Sequence, residues 1–277
     1  MQHDDTETAD QASRQDAYDQ QALLRYYEQT MYDPLIREFT GGSDFHNFGY
    51  WDTQTRNHWQ ACENLMEKLL GLLPQRVGTI LDVACGKGAT TKFLLRHYCP
   101  AAITAIDLSA KLLDTARANA PGCTFLQMDA GRLAFGEATF DTVICVEAAF
   151  HFASRDEFLG EVRRVIKPRG WLLLTDTLIS TAAAQRRIGR TLTNQVDTPA
   201  AYRACLRRAG FGQITVVDAT GPCWQGLYWG AVRFAHGKLL AQEIDLPTLQ
   251  RFLEPTYQRV PDLEYYLLAA AQKSLKE

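Results

Sequence analysis

The stretch Ile80-Leu81-Asp82-Val83-Ala84-Cys85-Gly86-Lys87-Gly88 decides how this chain is read. Apolar residues at Val77, Ile80, Leu81 and Val83 lead into a turn of small residues, with an acid among them. Beyond the turn, Thr90-Thr91-Lys92-Phe93-Leu94-Leu95 has helical spacing. The pattern predicts a buried strand, a tight loop and a helix start. Ala84, Gly86 and Gly88 let a ligand approach the backbone closely. Amides at the helix N-terminus then face that ligand. The dinucleotide fingerprint G-x-G-x-x-G is absent. Asp82 stands near its first glycine position, where a carboxylate repels a pyrophosphate and favours a ligand with an ammonium group.

Two further stretches extend the pattern. Ala102 to Leu108 reads as a second buried strand ending at Asp107. In a doubly wound sheet, an acid about 20 residues past the glycine loop accepts hydrogen bonds from both ribose hydroxyls. Thr124 to Ala130 offers a third strand ending at Asp129, placed to accept from the exocyclic amine of adenine. Leu108 and Ala130, which follow these acids, join the candidate cofactor contacts. One such acid is usually a turn residue or a helix cap. Three at successive strand ends point to S-adenosylmethionine.

On these residues the chain resembles the class I S-adenosylmethionine-dependent methyltransferases. Within them it is similar to the small-molecule branch of sugar O-methyltransferases, tocopherol methyltransferases and sterol C-methyltransferases. The resemblance covers roughly residues 20–220 and a last strand near 264–272. The family loop reads D-x-G-x-G-x-G, so Ala84 replaces its first glycine. Tyr32-Asp33 and Phe48-Gly49-Tyr50-Trp51-Asp52 resemble the family's Y-D and H-x-G-Y-W-D elements, with Asn47 at the histidine position. The resemblance implies that this segment folds over the cofactor as a lid. Tyr32, Tyr50 and Trp51 are then cofactor contacts, with a cation–π contribution at the sulfonium. The alternative is an aromatic staple that holds an N-terminal helix to the core.

Alternation of strand and helix from residue 77 predicts an α/β fold. Strand candidates are 78–83, 102–107, 123–128, 141–146, 171–175, 214–217 and 263–270, with Lys167-Pro168-Arg169-Gly170 as the turn before the fifth. Spacing alone leaves a helix open for 263–270. The expected fold is a Rossmann-like, doubly wound, seven-stranded and mostly parallel sheet. The resemblance implies that the last strand inserts antiparallel, giving the order 3-2-1-4-5-7-6. The expected divisions are a disordered tail at 1–18, an N-terminal helical lid at 19–76, a core at 77–221, a helical cap insertion at 222–262, and a last strand and tail at 263–277.

Composition excludes other classes. The 277 residues carry a net charge of −3 and 46% hydrophobic residues, ample for a packed core. Arg163-Arg164 and Arg186-Arg187 are isolated pairs, not a nucleic-acid footprint. The seven cysteines (Cys62, Cys85, Cys99, Cys123, Cys145, Cys205, Cys223) form no C-x-x-C pair, which favours free thiols in a reducing compartment. The acidic, polar N-terminus is unlike a signal peptide, and no transmembrane run is visible. A cytoplasmic enzyme without a metal, without nucleic-acid or membrane partners, is expected; a homodimer stays open.

The fourth strand ends in Cys145-Val146-Glu147-Ala148-Ala149-Phe150-His151. Ligands in open α/β sheets bind at the carboxyl edge where strand order reverses, here between the first and fourth strands. His151 is suited to take a proton from an acceptor hydroxyl near neutral pH. Asp176, at the end of the fifth strand, would orient the ring of His151 and stabilise its cation. In the sugar O-methyltransferases a His and an Asp form such a pair; their two adjacent histidines match Phe150 and His151. Glu-Ala-x-x-His also resembles the sterol C-methyltransferases, which makes Glu147 a contact to cofactor or substrate. Each has a structural alternative: a loop histidine under the cap, a helix-capping Asp, a loop hydrogen bond for Glu147. Trp224, Tyr228, Trp229, Phe234, Phe252 and Tyr257 either line an apolar acceptor pocket or pack the cap's own core.

The resulting expectation is methyl transfer from S-adenosylmethionine to a small organic acceptor in specialised metabolism, with oxygen favoured. C- or N-methylation of a prenyl or heterocyclic molecule, a cyclase on the same fold and a non-catalytic cofactor-binding protein are the alternatives.

Overall fold

The computed structural model describes residues 21–186 and 195–275. The tail expected at 1–18 and Arg187 of the second basic pair lie outside them. Seven strands form one sheet in the order β3-β2-β1-β4-β5-β7-β6. They are β1 (Ile80–Val83), β2 (Ile103–Asp107), β3 (Thr124–Gln127), β4 (Phe140–Val146), β5 (Ile166–Ile179), β6 (Phe211–Asp218) and β7 (Leu263–Lys273). β1 to β5 pair in parallel, and β7 runs antiparallel to both β5 and β6. The order and the inserted last strand are as the family resemblance implied, and residues 263–270 are strand, not helix.

The central strands are buried on both faces, as a parallel sheet covered by helices requires. Successive side chains alternate between two cores. Leu81, Val143, Cys145, Leu172 and Leu174 join Phe158 and Val162 of helix α6 (Arg155–Val165) and Tyr202 and Leu206 of α8 (Pro199–Arg208), which follows the short α7 (Thr181–Arg186) in the chain. Ile80, Ile144, Leu173 and Ala270 face the other way, onto Leu65, Met66, Leu69 and Leu70 of α3 (His58–Leu70). The part of the N-terminal region formed by α3 therefore belongs to the core by its packing. Its i, i+3, i+4 spacing of apolar residues supplies the buried stripe, and Asn57 caps its start by accepting from Gln60 N.

Lys167 to Gly170, expected as a turn, lies inside the β5 range as a bulge. Phe140 pairs with Ile166 but Thr142 pairs with Trp171, so the intervening residues of β5 are extruded. Arg169 takes a positive φ of 63° there. The turn chemistry is real, but Ile166 already pairs with β4 ahead of it.

Residues 21–30 form helix α1, which lies over the carboxyl edge of the sheet through Tyr27 and Glu28, and α2 (Pro34–Phe39) follows it. Asp33 caps α2 through Leu35 N and Ile36 N. The insertion after β6 is helical, with α9 (Gly226–Leu240) packed on α10 (Leu246–Arg259). Ala231, Ala235, Leu249 and Leu253 form its small core. Phe39 of α2 stacks on both Phe234 and Phe252, so the lid and the cap share one aromatic joint.

Candidate active site

The glycine loop joins β1 to α4 (Ala89–Leu94). Ala84, Gly86 and Gly88 have φ of 58°, 55° and 78°, so three alternate residues of the loop are left-handed. At Gly88 a Cβ would stand 2.8 Å from Ala116 of helix α5 (Ala110–Asn119), which lets the loop lie directly on that helix. Cys85 N donates to Ile106 O at 3.0 Å and fixes the loop to β2.

Asp107 closes the loop electrostatically. Its carboxylate accepts from Gly86 N and from Ser109 N, both at 2.9 Å. Burial raises its pKa, opposed by these amides. Each carboxylate oxygen keeps a further lone pair. Leu108 beside it is half-buried, Ala130 is buried, and Asp129 is exposed with its Oδ1 accepting from Gly131 N. A loop without side chains at Gly86 and Gly88, beside two acids at neighbouring strand ends, fits a nucleoside with ribose over β2 and base over β3. Asp82, expected to favour a ligand with an ammonium group, lies beneath the loop instead. It is only 1% exposed and accepts from Thr91 Oγ1 at 2.7 Å, which anchors the first turn of α4 beneath the loop. Burial pushes it up to about 7, with the negative Asp107 nearby adding to the effect and Thr91 opposing it.

At the end of β4, Glu147 is a non-glycine residue with φ of 52°. Its Oε1 accepts from Phe48 N at 2.7 Å and from Tyr266 Oη at 2.6 Å. Its own amide donates to Thr175 Oγ1 at 3.0 Å. Glu147 therefore ties the lid segment, β7 and β5 together. Burial pushes it up to about 7 against the pull of Tyr266 and Phe48 N. The contacts to Phe48, Tyr266 and Thr175 hold this left-handed backbone in place.

His151 ends a short 3-10 turn, Ala149–His151. Its Nε2 is 2.6 Å from Tyr27 Oη of α1, and the Phe150 ring lies 4.1 Å away, centroid to centroid. The Tyr27 ring also meets His46 edge-on. Burial pushes His46 down to about 4, so it is neutral at pH 7.

The expected pairing of His151 with Asp176 is not formed. Asp176 is fully buried and accepts from Arg155 Nε at 2.9 Å, Arg155 Nη2 at 3.2 Å, Tyr202 Oη at 2.8 Å and Thr177 N at 2.8 Å. The reason is geometric: α6 starts at Arg155 and α8 carries Tyr202, and both helices pack on the sheet face that Asp176 enters. A carboxylate without solvent takes the nearest cation and hydroxyl.

The lid aromatics divide their tasks. Tyr32 Oη is 2.7 Å from Thr115 Oγ1 of α5, and its ring lies under Lys87. The Tyr50 ring meets Lys68 of α3. Trp51 lies across α9: Cβ atoms built on Gly226 and Gly230 would fall 2.5 and 2.6 Å from its side chain. Its Nε1 donates to Phe48 O at 2.9 Å. Trp51 is thus a staple between lid and cap. In the cap, Phe234 and Phe252 pack internally, Trp224 meets Phe48, and Trp229 is 56% exposed.

Sequence reasoning passed over Tyr27, Lys87 and Arg155. Tyr27 reads as one member of an apolar stripe, and only its hydroxyl, aimed at a residue 124 positions away, reveals it. Lys87 is an ammonium inside a glycine loop that is 3% exposed; a charge among small residues was the available signal.

Residues 81–174 match the family described as "Methyltransferase domain". The chain is 28% identical over 254 residues to the 27-O-demethylrifamycin SV methyltransferase of Amycolatopsis mediterranei, covering 83% of this chain and 90% of that protein. This chain is a class I S-adenosylmethionine-dependent methyltransferase. The methyltransferase is also 38% identical over 99 residues to the fatty-acid O-methyltransferase of Mycolicibacterium smegmatis, an alignment spanning 35% of this chain and 36% of that relative. Its fold is shared with the putative sarcosine dimethylglycine methyltransferase from Galdieria sulphuraria, with a TM-score of 0.71 at 16% identity over 87% of this chain and 99% of the other. The two named relatives are methyltransferases of small molecules, and the cofactor is S-adenosylmethionine. Among the described residues, no helix of the methyltransferase is long and apolar enough to cross a membrane.

Proposed function

We propose that this methyltransferase transfers its methyl group to an oxygen of a small organic acceptor in specialised metabolism, with His151 as the base. One observation carries the reading: an aromatic hydroxyl, that of Tyr27, already rests 2.6 Å from His151 Nε2 at the carboxyl end of β4. An acceptor phenol or alcohol would take the place of that hydroxyl when α1 moves aside. The oxygen chemistry of the rifamycin and fatty-acid relatives supports the same acceptor atom.

Asp107 would hold the ribose, Asp129 the adenine amine, Leu108 and Ala130 the base, and Ala84, Gly86 and Gly88 the methionine end. When bound, S-adenosylmethionine supplies an activated methyl group on a sulfonium. The chain's residues do the rest. His151 Nε2 takes the acceptor's hydroxyl proton as the oxygen becomes nucleophilic. Phe150 and Tyr27 fix the plane of the His151 ring. Trp51 and Phe39 hold the lid to the cap and keep water from the edge of the sheet. Asp176 acts by holding Arg155 and Tyr202, and so the α6 start that follows His151.

The test is incubation with isotopically labelled S-adenosylmethionine and a panel of phenols, macrocyclic alcohols, fatty acids and N-heterocycles, read by mass spectrometry. An O-methyl product with an equal amount of S-adenosylhomocysteine is expected. His151→Ala should lower turnover on the order of 10²- to 10⁴-fold and leave S-adenosylhomocysteine affinity unchanged. Methylation confined to carbon or nitrogen refutes the oxygen assignment. Conversion of a substrate without S-adenosylhomocysteine release would make the protein a cyclase.

A further inference from the structure

Lys87 lies between two left-handed glycines, Gly86 and Gly88, in the loop assigned to the cofactor. Its ammonium is sealed from solvent, and such a charge needs partners. Nζ donates to Met31 O at 3.1 Å, pairs with the Asp44 carboxylate, and stands 4.7 Å from the centroid of the Tyr32 ring. All three partners belong to the lid. Asn119 of α5 doubles the link, with Nδ2 donating to Asp44 Oδ2 at 2.7 Å and to Lys87 O at 2.8 Å. Burial pushes Asp44 up, but Lys87 and Asn119 outweigh it and hold the carboxyl below its usual range. The same five-residue turn thus carries a backbone for the cofactor and a cation for the lid. Next to it, Gly86 N is bound to Asp107, the residue assigned to the ribose.

We propose that Lys87 is a positioning residue that couples cofactor binding to the seating of the lid segment 31–44. The inference rests on the reading that places the cofactor over Gly86 and Asp107. A ligand that orders residues 86–88 orders the anchor of the Lys87 side chain, and with it Met31, Tyr32 and Asp44. By linkage, a seated lid then strengthens cofactor binding by the same factor. The interaction lies outside the transfer chemistry: no atom of Lys87 needs to touch the reacting centre.

Hydrogen–deuterium exchange of the full chain, with and without S-adenosylhomocysteine, tests this alongside calorimetric affinity. In the native chain the ligand should slow exchange across residues 31–44. In Lys87→Met this slowing should vanish, and the dissociation constant should rise on the order of tenfold. Asp44→Asn, which alters the lid side alone, should do the same, and it carries the test if Lys87→Met fails to fold. The double variant should be no weaker than the worse single variant, because both remove one interaction. Ligand-induced protection of 31–44 that persists in both variants overturns the proposal. So does a lowered melting temperature with unchanged affinity, which is what a merely structural ion pair gives. Absence of S-adenosylhomocysteine binding to the native chain would strike the cofactor-site reading itself, and the coupling with it.

Discussion

Replacing Glu147 with Gln should make the protein more stable at alkaline pH and change little at acidic pH. The side-chain amide oxygen that the substitution introduces can still accept from Phe48 N and Tyr266 Oη, so the geometry around the Oε1 position is preserved. What changes is the charge. Glu147 titrates at about 7 in the folded chain, against an ordinary value of 4.5, chiefly because burial disfavours its ionised form. The folded state therefore holds the proton more tightly than the unfolded state. Below 4.5 the two states are equally protonated and nothing is lost. As pH rises from 4.5 towards 7 stability falls, and above 7 the full cost of the buried charge remains. At about 1.4 kcal/mol per pH unit, the interval sets an upper bound of roughly 3.5 kcal/mol. Glu147 is half-buried by surface, so screening by water brings the expectation to about 2 kcal/mol. At about 2–4 °C per kcal/mol for a chain of this size, Glu147→Gln should melt roughly 4–8 °C above the native protein at about pH 8. At about pH 5 the two should nearly coincide. Asp82, also raised to about 7, adds the same trend to both proteins and cancels in the comparison. Thermal unfolding by circular dichroism at both pH values decides it. Equal offsets at the acidic and the alkaline pH would refute the argument that the carboxyl is forced to ionise in a buried place.

Three further outcomes are expected. Ala84→Gly removes a left-handed alanine that costs about 1–2 kcal/mol, and glycine's greater freedom when unfolded returns about 0.5–1 kcal/mol of it. The melting temperature should therefore rise by roughly 2 °C, and a fall in a scanning-fluorimetry trace would show that Ala84 is unstrained. Asp176→Asn leaves the Arg155 cation buried with too little compensation and should cost about 3–5 kcal/mol. A variant that melts like the native protein yet loses turnover would restore Asp176 to the chemistry. Asp107→Ala should weaken S-adenosylhomocysteine on the order of 10²- to 10⁴-fold, since two hydrogen bonds to a carboxylate are lost at about 1.5–3 kcal/mol each; unchanged affinity in calorimetry rules out the ribose role.

The sheet was legible because its information is local. Strands such as Ile80–Val83 and Ile103–Asp107, each with an acid at or near its carboxyl end, repeat at intervals that admit few topologies. The glycine loop was legible for the same reason, including the position where Ala84 departs from the family. What stayed hidden depends on where separate helices come to rest. Asp176 is expected to end the fifth strand, but β5 runs on to Ile179 and pairs Asp176 with Leu267 of β7; nothing near residue 176 says that Arg155 and Tyr202 reach its carboxylate. Trp51 carries a motif that suggests a ligand, yet its ring fits a groove made by two glycines some 175 residues away. Sequence spacing finds residues that share an element. It is blind to a contact that exists only after two elements have docked.

Tyr266 has a consequence for the order of events at the ribosome. It sits in the strand that enters the sheet between β5 and β6, both of which are synthesised before it. Until residues 263–273 emerge, the nascent polypeptide carries the buried strand β5 with its outer edge unpaired and β6 without its neighbour, a form prone to wrong pairings. Glu147 meanwhile lacks the phenol that steadies it, and Phe48 lacks part of its seat. The strand that completes the sheet is thus also the one that lets the segment around Phe48 settle, and a stall before residue 263 would release a chain whose glycine loop is built but whose door has no frame.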